Sequence, residues 1–235
     1  MHLFYAPGIR GNTYILSEEE SRHSIRVLRL KEGDIIHLTD GNGNLFNGRL
    51  ADIQPKGCHV EILKTVLDYH RRPFYLHIGI APTKNTDRLE WFLEKTTEIG
   101  IEEVTPLICT HSERTVIKPS RLEKVLVSAM KQSLKALLPK LNEPVAFNEM
   151  IRMPFNGQKF IAYCETGKED ELQKLYLKGS DALILIGPEG DFSQKEIDES
   201  IREGFIPVSL GKSRLRTETA GIVACHTISL INEKD

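Results

Sequence analysis

Residues 182–193 read ALILIGPEGDFS, an apolar run that leads directly into a turn containing two glycines. The run from Ala182 to Ile186 predicts a buried strand, and Ser193 with Glu196 predicts a capping box at the start of a helix. In open α/β sheets, ligands gather where strands end and glycines let the backbone approach them closely. The segment therefore predicts an α/β fold with a candidate ligand site at this turn.

The turn Gly187-Pro188-Glu189-Gly190 lacks the residues that bind phosphate. A Walker loop needs GxxxxGK[ST], and a dinucleotide fold needs GxGxxG after its first strand; neither pattern occurs here. A carboxylate in place of a lysine favours a neutral or cationic ligand. An ordinary connection between a strand and a helix explains the turn equally well, so the turn alone leaves both interpretations open.

Around this segment, residues 73–235 alternate between predicted strands and helices, which implies a mainly parallel sheet covered on both faces. Ser120 with Glu123 predicts a second capping box, on a helix that Pro139 ends, and Thr217 is expected to begin the last helix. The predicted strands are 74–81, 104–110, 159–164, 182–186 and 207–210.

Residues 1–72 are predicted to form a separate β-rich domain, joined to the rest by the linker Arg71-Arg72-Pro73. Three strands are predicted, at 34–39, 45–53 and 58–66, the last two with partly alternating polarity, and Asp40-Gly41-Asn42-Gly43 between the first two is a strong turn signal. Short strands joined by tight turns suggest a small barrel. The predicted domains are therefore 1–72 and 73–235.

One predicted helix in the first domain, residues 17–29, carries a stripe of arginines. Ser17 and Glu20 have the spacing of a capping box, and Arg22, Arg26 and Arg29 share one helical face. Such a stripe is either a solvated charged face or a grip on RNA phosphates.

The totals exclude several classes of protein. The 235 residues carry a net charge of −2, which is not that of a strongly basic nucleic-acid binder, although local charge decides RNA binding. The four cysteines form no CxxC pair and the eight histidines are scattered, so no metal site is predicted. Neither a signal peptide nor a membrane span is indicated, and a cytoplasmic protein is expected.

The segment RLRTETA, residues 214–220, adds chemistry to the candidate site. Capping explains Thr217 and Glu218, since a hydroxyl and an acidic residue suit a helix N-terminus. Arg214 and Arg216 are not explained in this way, because cations are unfavourable beside a positive helix end unless they bind an anion. An RNA phosphate or an electron-rich base would serve.

LIGPEGDFS and LGKSRLRTETA together closely resemble the bacterial ribosomal RNA small subunit methyltransferase E family of the SPOUT superfamily. The resemblance covers essentially the whole chain, because HSIRVLRLKEGD, DGNG, TDRLEWFLEKTTEIGI and HSERT also resemble family segments. It implies a C-terminal SPOUT α/β domain with a deep trefoil knot, preceded by a small PUA-like RNA-binding β-barrel. It also implies a homodimer, with the last helix at the subunit interface.

The resemblance further implies S-adenosyl-L-methionine as cofactor and 16S ribosomal RNA, free or in the small subunit, as substrate. The implied reaction methylates N3 of one uridine near the decoding centre. Arg216 is then expected to stabilise charge on the uracil, with Glu218 a weaker candidate for accepting the N3 proton. Expected cofactor residues are Cys164, Glu165, Gly187, Pro188, Glu189, Gly190, Leu210, Gly211 and Leu215. Expected RNA-binding residues are Arg22, Arg26, Arg29, Arg114, Gln132 and Arg214.

Two stretches depart from the family pattern. Asp191 stands where members often have a second glycine, and Leu134 and Lys135 stand where they often have glycine and arginine, which puts an RNA contact by Lys135 in doubt. Two alternatives remain: a non-catalytic RNA-binding protein with a degenerate methyltransferase domain, and an α/β enzyme with a nucleotide cofactor. The intact motifs disfavour the first, and the missing phosphate-loop lysine disfavours the second.

Overall fold

The computed structural model describes residues 2–163 and 170–233, which pack into two compact units. The first unit comprises residues up to Arg71 together with Val127–Leu138, and the second comprises Arg72–Leu126 and the chain from Pro139 onward. The segment 127–138, which the sequence pattern places in the second domain, therefore packs within the first unit.

The first unit contains a five-stranded sheet whose strands follow the order β1-β3-β4-β5-β2. β1 pairs with β3 in parallel, and the remaining pairs are antiparallel. Side chains such as Phe4, Leu38, Leu50 and Val60 form its buried core. The elements of this unit are β1 Leu3–Tyr5, β2 Thr13–Ile15, α1 Glu18–Arg26, β3 Ile35–Thr39, β4 Leu45–Asp52 and β5 His59–Val66.

The predicted turn between β3 and β4 is confirmed, and it also holds a distant segment. Gly41 and Gly43 take positive φ angles of 79° and 96°, which explains why glycine is needed there. Gly43 N donates to the Ala136 carbonyl at 3.0 Å, and Leu138 N donates to the Gly41 carbonyl at 2.8 Å. These bonds fix the segment 136–138 within the first unit.

Helix α1 is shorter than predicted. Ser17 caps it by accepting from Glu20 N at 3.2 Å, but the Glu20 carboxylate pairs with Lys131, so the predicted capping box is only half formed. The helix ends at Arg26, and the chain leaves it through Arg29 at φ 55°. The prediction that Arg29 continues the helical arginine stripe is therefore wrong.

The second unit contains a parallel sheet in the order β12-β10-β11-β6-β7-β8, with β9 beside β7. Its strands are β6 Leu76–Ile80, β7 Glu103–Ile108, β8 Lys140–Leu141, β9 Val145–Ala146, β10 Gln158–Ala162, β11 Ala182–Ile186 and β12 Ile206–Val208. The remaining helices of the chain are α2 Thr86–Ile99, α3 Pro119–Gln132, α4 Phe147–Met150, α5 Leu172–Leu175, α6 Gln194–Arg202 and α7 Thr217–Glu233. All of them belong to the second unit except the part of α3 from Val127 onward, which belongs to the first.

The predicted parallel sheet is confirmed, and its central strands are covered on both faces. Every residue of β6 and of β11 is buried. Leu183 and Leu185 of β11 pack in a cluster with Phe147 of α4 and Ile197 of α6. On α7, a Cβ added to Gly221 would lie 2.5 Å from the Phe92 ring, so α2 and α7 meet too closely for any side chain there.

Helix α3 begins and ends at other residues than predicted. Pro119 is its first residue, as suits proline at a helix start, so Ser120 lies inside the helix and does not cap it. The helix ends at Gln132, well before Pro139, because Leu134 adopts φ 58°. A left-handed conformation suits glycine, the residue that the family resemblance leads us to expect at this position.

Leu134 is expected to be strained by its left-handed backbone, which costs a non-glycine residue about 1–2 kcal/mol. We expect the free energy of unfolding of Leu134→Gly, measured by urea titration, to exceed that of Leu134→Ala by about 1 kcal/mol. The control is the exposed residue His23, which lies in helix α1 of the same unit. There the free energy of unfolding of the alanine variant should exceed that of the glycine variant by about 1 kcal/mol. The same order at both sites would contradict the prediction.

Within the described residues, no helix combines the length and apolar character required to span a bilayer. Cys58, Cys109 and Cys225 are buried thiols.

Candidate active site

The carboxyl ends of β6 and β11 lie side by side where the order of the sheet reverses. From β6 the chain continues to β7 on one side, whereas from β11 it continues to β12 on the other. Ligands in open α/β sheets bind at such a reversal. The turn 187–190 follows β11 directly, and residues 81–85 follow β6, so both segments border the expected site.

The two motifs that carry the family resemblance are in direct contact. Thr217 Oγ1 donates a hydrogen bond of 3.0 Å to the Gly187 carbonyl across 30 positions of sequence. Thr217 is the first residue of α7, which confirms that it begins the last helix, and its hydroxyl donates to the turn, so the alternative in which it caps the helix does not hold. Arg216 occupies the cap position instead, because Ala220 N donates to its carbonyl at 2.8 Å.

The side chain of Glu189 bonds the turn to the segment that follows β6. Its Oε1 accepts a hydrogen bond of 3.0 Å from the backbone nitrogen of Lys84, which follows β6. The sequence left open whether this carboxylate meets a cofactor or supports the turn, and the structure shows the supporting bond. Residues 84 and 189 are 105 positions apart, so no local pattern reveals the pair.

Asp191 closes the turn in the left-handed conformation, at φ 62°. Its backbone nitrogen donates to the Pro188 carbonyl at 3.0 Å, and its Oδ1 accepts from Phe192 N at 2.8 Å. Aspartate tolerates this conformation better than most residues, because its short side chain bonds to the local backbone. The geometry accounts both for the usual glycine in the family and for aspartate in this chain.

The capping box at the start of α6 is confirmed, and it also joins a third segment. Ser193 N and Glu196 Oε2 are 2.8 Å apart, and Glu196 N bonds back to Ser193 Oγ. The other oxygen of this buried carboxylate accepts from Thr110 N at 2.8 Å. The loop after β7 is therefore fastened to the start of α6.

The loop between β12 and α7 presents three exposed cations, Lys212, Arg214 and Arg216. Arg214 and Arg216 are exposed, and among the described residues neither side chain has a hydrogen bond or ion pair. Gly211, at φ 124°, gives this loop a conformation that side chains rarely adopt, and Leu210 and Leu215 flank the exposed stretch while half-buried. Both guanidinium groups are available to an anion.

Glu218, in the first turn of α7, is buried and incompletely paired. Its Oε1 lies 3.8 Å from Arg88 Nε, while Oε2 has no hydrogen-bond partner among the described residues. A buried carboxylate oxygen without a donor is unfavourable by about 1–3 kcal/mol or more. A ligand or a second protein chain that supplies a donor would relieve this penalty.

The other predicted residues fall in different places. Arg114 donates to the Lys84 carbonyl through Nε and Nη2, at 3.1 and 2.8 Å, which puts it beside the candidate site. Arg22 pairs with Glu18 in the first unit. Arg26, Arg29 and Gln132 are exposed in that unit. Cys164 and Glu165 lie outside the described residues.

Sequence patterns missed Lys84, Arg88 and His111. His111, in the loop after β7, bonds to the turn through Nδ1, which lies 3.1 Å from the Gly190 carbonyl oxygen and 3.0 Å from that of Asp191. The histidine was visible in HSERT, but only the fold brings it to a residue 79 positions away. In the described ranges, no group of three or more His, Cys, Asp or Glu side chains is arranged to hold a metal.

Comparison with known proteins assigns both parts of the chain. Residues 70–229 match the model of an RNA methyltransferase domain, and residues 16–63 match that of an RNA methyltransferase PUA domain. Among curated relatives, ribosomal RNA small subunit methyltransferase E of Buchnera aphidicola subsp. Acyrthosiphon pisum is 30% identical over 218 residues. That alignment covers 90% of this chain and 85% of the relative.

Solved structures agree with this assignment. A protein described as a probable rRNA-methyltransferase from Porphyromonas gingivalis is 43% identical, with a TM-score of 0.91 over 98% of this chain and 99% of that one. Ribosomal RNA small subunit methyltransferase E from Neisseria gonorrhoeae, solved bound to S-adenosyl methionine, is 27% identical, with a TM-score of 0.85 over 96% and 95%. The predicted α/β methyltransferase fold behind a PUA-like domain is confirmed, and the chain belongs to the ribosomal RNA small subunit methyltransferase E family of RNA methyltransferases.

Proposed function

We propose that this protein transfers a methyl group from S-adenosyl-L-methionine to N3 of one uridine in 16S ribosomal RNA, near the decoding centre. The observation that carries the proposal is the bond from Thr217 Oγ1 to the Gly187 carbonyl, which unites the two family motifs at the reversal of the sheet. The relative from Neisseria gonorrhoeae, with its bound cofactor, supports the choice of methyl donor.

The residues at the turn fit this cofactor better than they fit a phosphate. Glu189 and Asp191 belong to the turn, Glu218 follows in α7, and the turn holds no lysine. Carboxylates and peptide carbonyls favour a cation such as a sulfonium centre. Gly187, Pro188 and Gly190, with Leu210, Gly211 and Leu215, would hold the cofactor through backbone and apolar contacts, joined by Cys164 and Glu165. The bound cofactor would supply an electrophilic methyl group.

Arg216 is the residue to which we assign stabilisation of the uracil. N3 of uridine carries a proton and its lone pair is delocalised, so the base becomes a nucleophile only as that proton leaves. An exposed guanidinium at the positive end of α7 can bind the carbonyl oxygen on which negative charge then develops. Arg214 and Arg114 would contact RNA beside it.

Glu218 is the weaker candidate for receiving the N3 proton. Its Oε2 has no hydrogen-bond donor among the described residues, as a proton acceptor requires, but the carboxylate is buried. The same position suits a second role, in which Glu218 holds Arg88 and the first turn of α7 in place. Glu218→Gln separates the two roles: a lower kcat with an unchanged free energy of unfolding indicates a proton acceptor, whereas a lower free energy of unfolding indicates a supporting role.

The finer features of the fold belong to the same proposal. In the second unit the chain would form the deep trefoil knot of SPOUT enzymes, and the sheet of the first unit would close into a PUA-like barrel. Two copies would associate through α7, whose exposed Leu230 and half-exposed Ile222 and Val223 leave an apolar surface. The protein would act in the cytoplasm on free 16S rRNA or on the small subunit.

The decisive experiment is mass mapping of nucleosides in ribosomal RNA from cells with and without this protein, with calorimetric titration of the purified chain by S-adenosyl-L-methionine. Loss of one N3-methyluridine from 16S rRNA together with cofactor binding supports the proposal. Cofactor binding without any methyl change in rRNA would refute the assigned substrate. Absence of both, with RNA binding retained, would favour a non-catalytic RNA-binding protein.

Arg26 and Arg29, with Arg22, are expected to contribute to RNA affinity from the first unit. Replacing all three by alanine should reduce the slope of log affinity against log salt by about 2–3, since each phosphate contact contributes about one. Arg22 should contribute least, because Glu18 already pairs with it. Filter binding of a 16S rRNA fragment at several salt concentrations measures the slope.

The matched control removes three exposed cations of the same unit, Arg10, Lys56 and Lys64. This variant has the same net charge as the first, so it accounts for the general effect of charge. Equal slopes for the two triple variants would show that Arg22, Arg26 and Arg29 make no specific contact with RNA phosphates.

A further inference from the structure

His111 makes an unusual contact with the turn that follows β11. Its Nδ1 lies 3.1 Å from the carbonyl oxygen of Gly190 and 3.0 Å from that of Asp191. Both partners are acceptors only, so Nδ1 carries the proton and donates to two consecutive peptide groups. One side chain thereby fixes the orientation of the two peptide planes that end the turn.

The turn is built to admit this side chain. A Cβ added at Gly190 would lie 3.1 Å from the Cβ of His111, which is tighter than nine in ten real contacts of this kind. The absence of a side chain at position 190 therefore lets His111 approach the carbonyls. The next residue, Asp191, holds a left-handed conformation that is intrinsically unfavourable, and bonds from outside the turn help to keep it there.

The loop that carries His111, residues 109–114, is itself anchored, and we call it the brace loop. Thr110 N bonds to Glu196 at the start of α6, at 2.8 Å. At its other end, Arg114 donates twice to the Lys84 carbonyl, while Lys84 N donates to Glu189 of the turn. The brace loop is thus anchored at Thr110 and at Arg114, and His111 is its residue whose side chain contacts carbonyls of the turn.

We propose that His111 is a positioning residue for methyl-donor binding: it holds the turn 187–191 in the shape that receives the cofactor. The proposal rests on the function proposed above and assigns His111 no contact with the cofactor. His111 restricts the orientations of two peptide groups before the cofactor binds, which lowers the entropic cost of ordering the turn on binding. Arg114, through Lys84 and Glu189, supports the opposite side of the same turn.

The test uses the full-length protein and calorimetric titration with S-adenosyl-L-methionine. His111→Ala should weaken the Kd by about three- to tenfold, the range expected for one lost hydrogen-bonding group. His111→Asn should restore affinity to within about twofold, because the asparagine Nδ2 can take the place of the histidine Nδ1. His111→Gln places its amide one methylene further out and should resemble the alanine variant. His59→Ala, which removes an exposed histidine of the first unit, is the control and should bind as the wild type does.

Kinetics provide a readout that a purely structural role would not move in the same way. The KM for the methyl donor should rise in His111→Ala by the same factor as the Kd, while kcat at saturating donor stays within about twofold. Wild-type affinity in His111→Ala, or equal weakness in the asparagine and alanine variants, would overturn the assignment of His111 alone. Failure of the wild-type chain to bind the donor would overturn the proposed function, and this inference with it.

Discussion

Arg216→Ala is expected to lower single-turnover methyl transfer to small-subunit RNA by about 10²–10³-fold, the loss seen when one group that stabilises developing charge is removed. The side chain is exposed at the N-terminus of α7 and has no partner among the described residues, so it is available to a uracil carbonyl. The Kd for S-adenosyl-L-methionine should stay within about threefold, because the turn 187–191 is braced by other residues.

Two variants sharpen this test. Arg216→Lys keeps the charge but loses the planar fork of donors, and it should recover only part of the lost rate. Arg202→Ala removes an exposed arginine from the last turn of α6 and should leave the rate unchanged. A near wild-type rate in Arg216→Ala would exclude the proposed role, whereas parallel loss of cofactor binding would show that Arg216 acts on the turn.

Acid is expected to destabilise the second unit through His77, which is buried on β6. Burial lowers the pKa of His77 to about 4, against the opposing charge of Glu103. Its Nε2 lies 2.8 Å from Thr105 Oγ1, which also accepts from Asn142 Nδ2 at 2.6 Å. Burial therefore favours the neutral form of the ring.

The unfolded chain binds a proton at His77 with the usual pKa of about 6.5, whereas the folded chain binds it only near 4. Between these values the unfolded state holds more protons, so the free energy of unfolding falls as the pH falls. The contribution of this one group is on the order of 3 kcal/mol, fully lost below about pH 4.

Glu103 extends the same trend to lower pH. Burial alone would raise its pKa, but hydrogen bonds from Lys140, Tyr75 and Asn142 outweigh burial and lower the pKa to about 2. Its stabilising contribution is present above the usual carboxylate pKa and is lost as the pH falls toward 2. Both groups therefore make the second unit sensitive to acid, in successive ranges.

Urea titrations at pH 7, 5 and 4 measure the effect. His77→Gln keeps a side chain that can hydrogen-bond to Thr105 but cannot titrate, so its free energy of unfolding should fall less steeply between pH 7 and 4 than that of the wild type. His59→Gln, at an exposed position, should keep the wild-type slope. Identical slopes for all three proteins would show that His77 does not govern the acid response.

Local sequence was sufficient to predict those elements that depend on residues close together in the chain. The capping box of Ser193 and Glu196, the apolar run from Ala182 to Ile186 and the glycines of the turn 40–43 each act over a few residues, and the structure has all three. Local sequence failed to predict two features of the helices. Glu20 completes no capping box because Lys131 pairs with it, and α3 ends at Gln132 because Leu134 turns left-handed.

The sequence by itself determined the parallel α/β unit, through its apolar periodicity, and indicated the family, through the resemblance of its two motifs, because both kinds of pattern depend on neighbouring residues. Only the tertiary structure decided how the motifs act together. The bonds from Thr217 to Gly187, from Lys84 to Glu189 and from His111 to Gly190 and Asp191 join residues 30, 105, 79 and 80 positions apart. Such pairs form only after parallel strands bring their carboxyl ends to one edge of the sheet, and no local rule of sequence encodes that meeting.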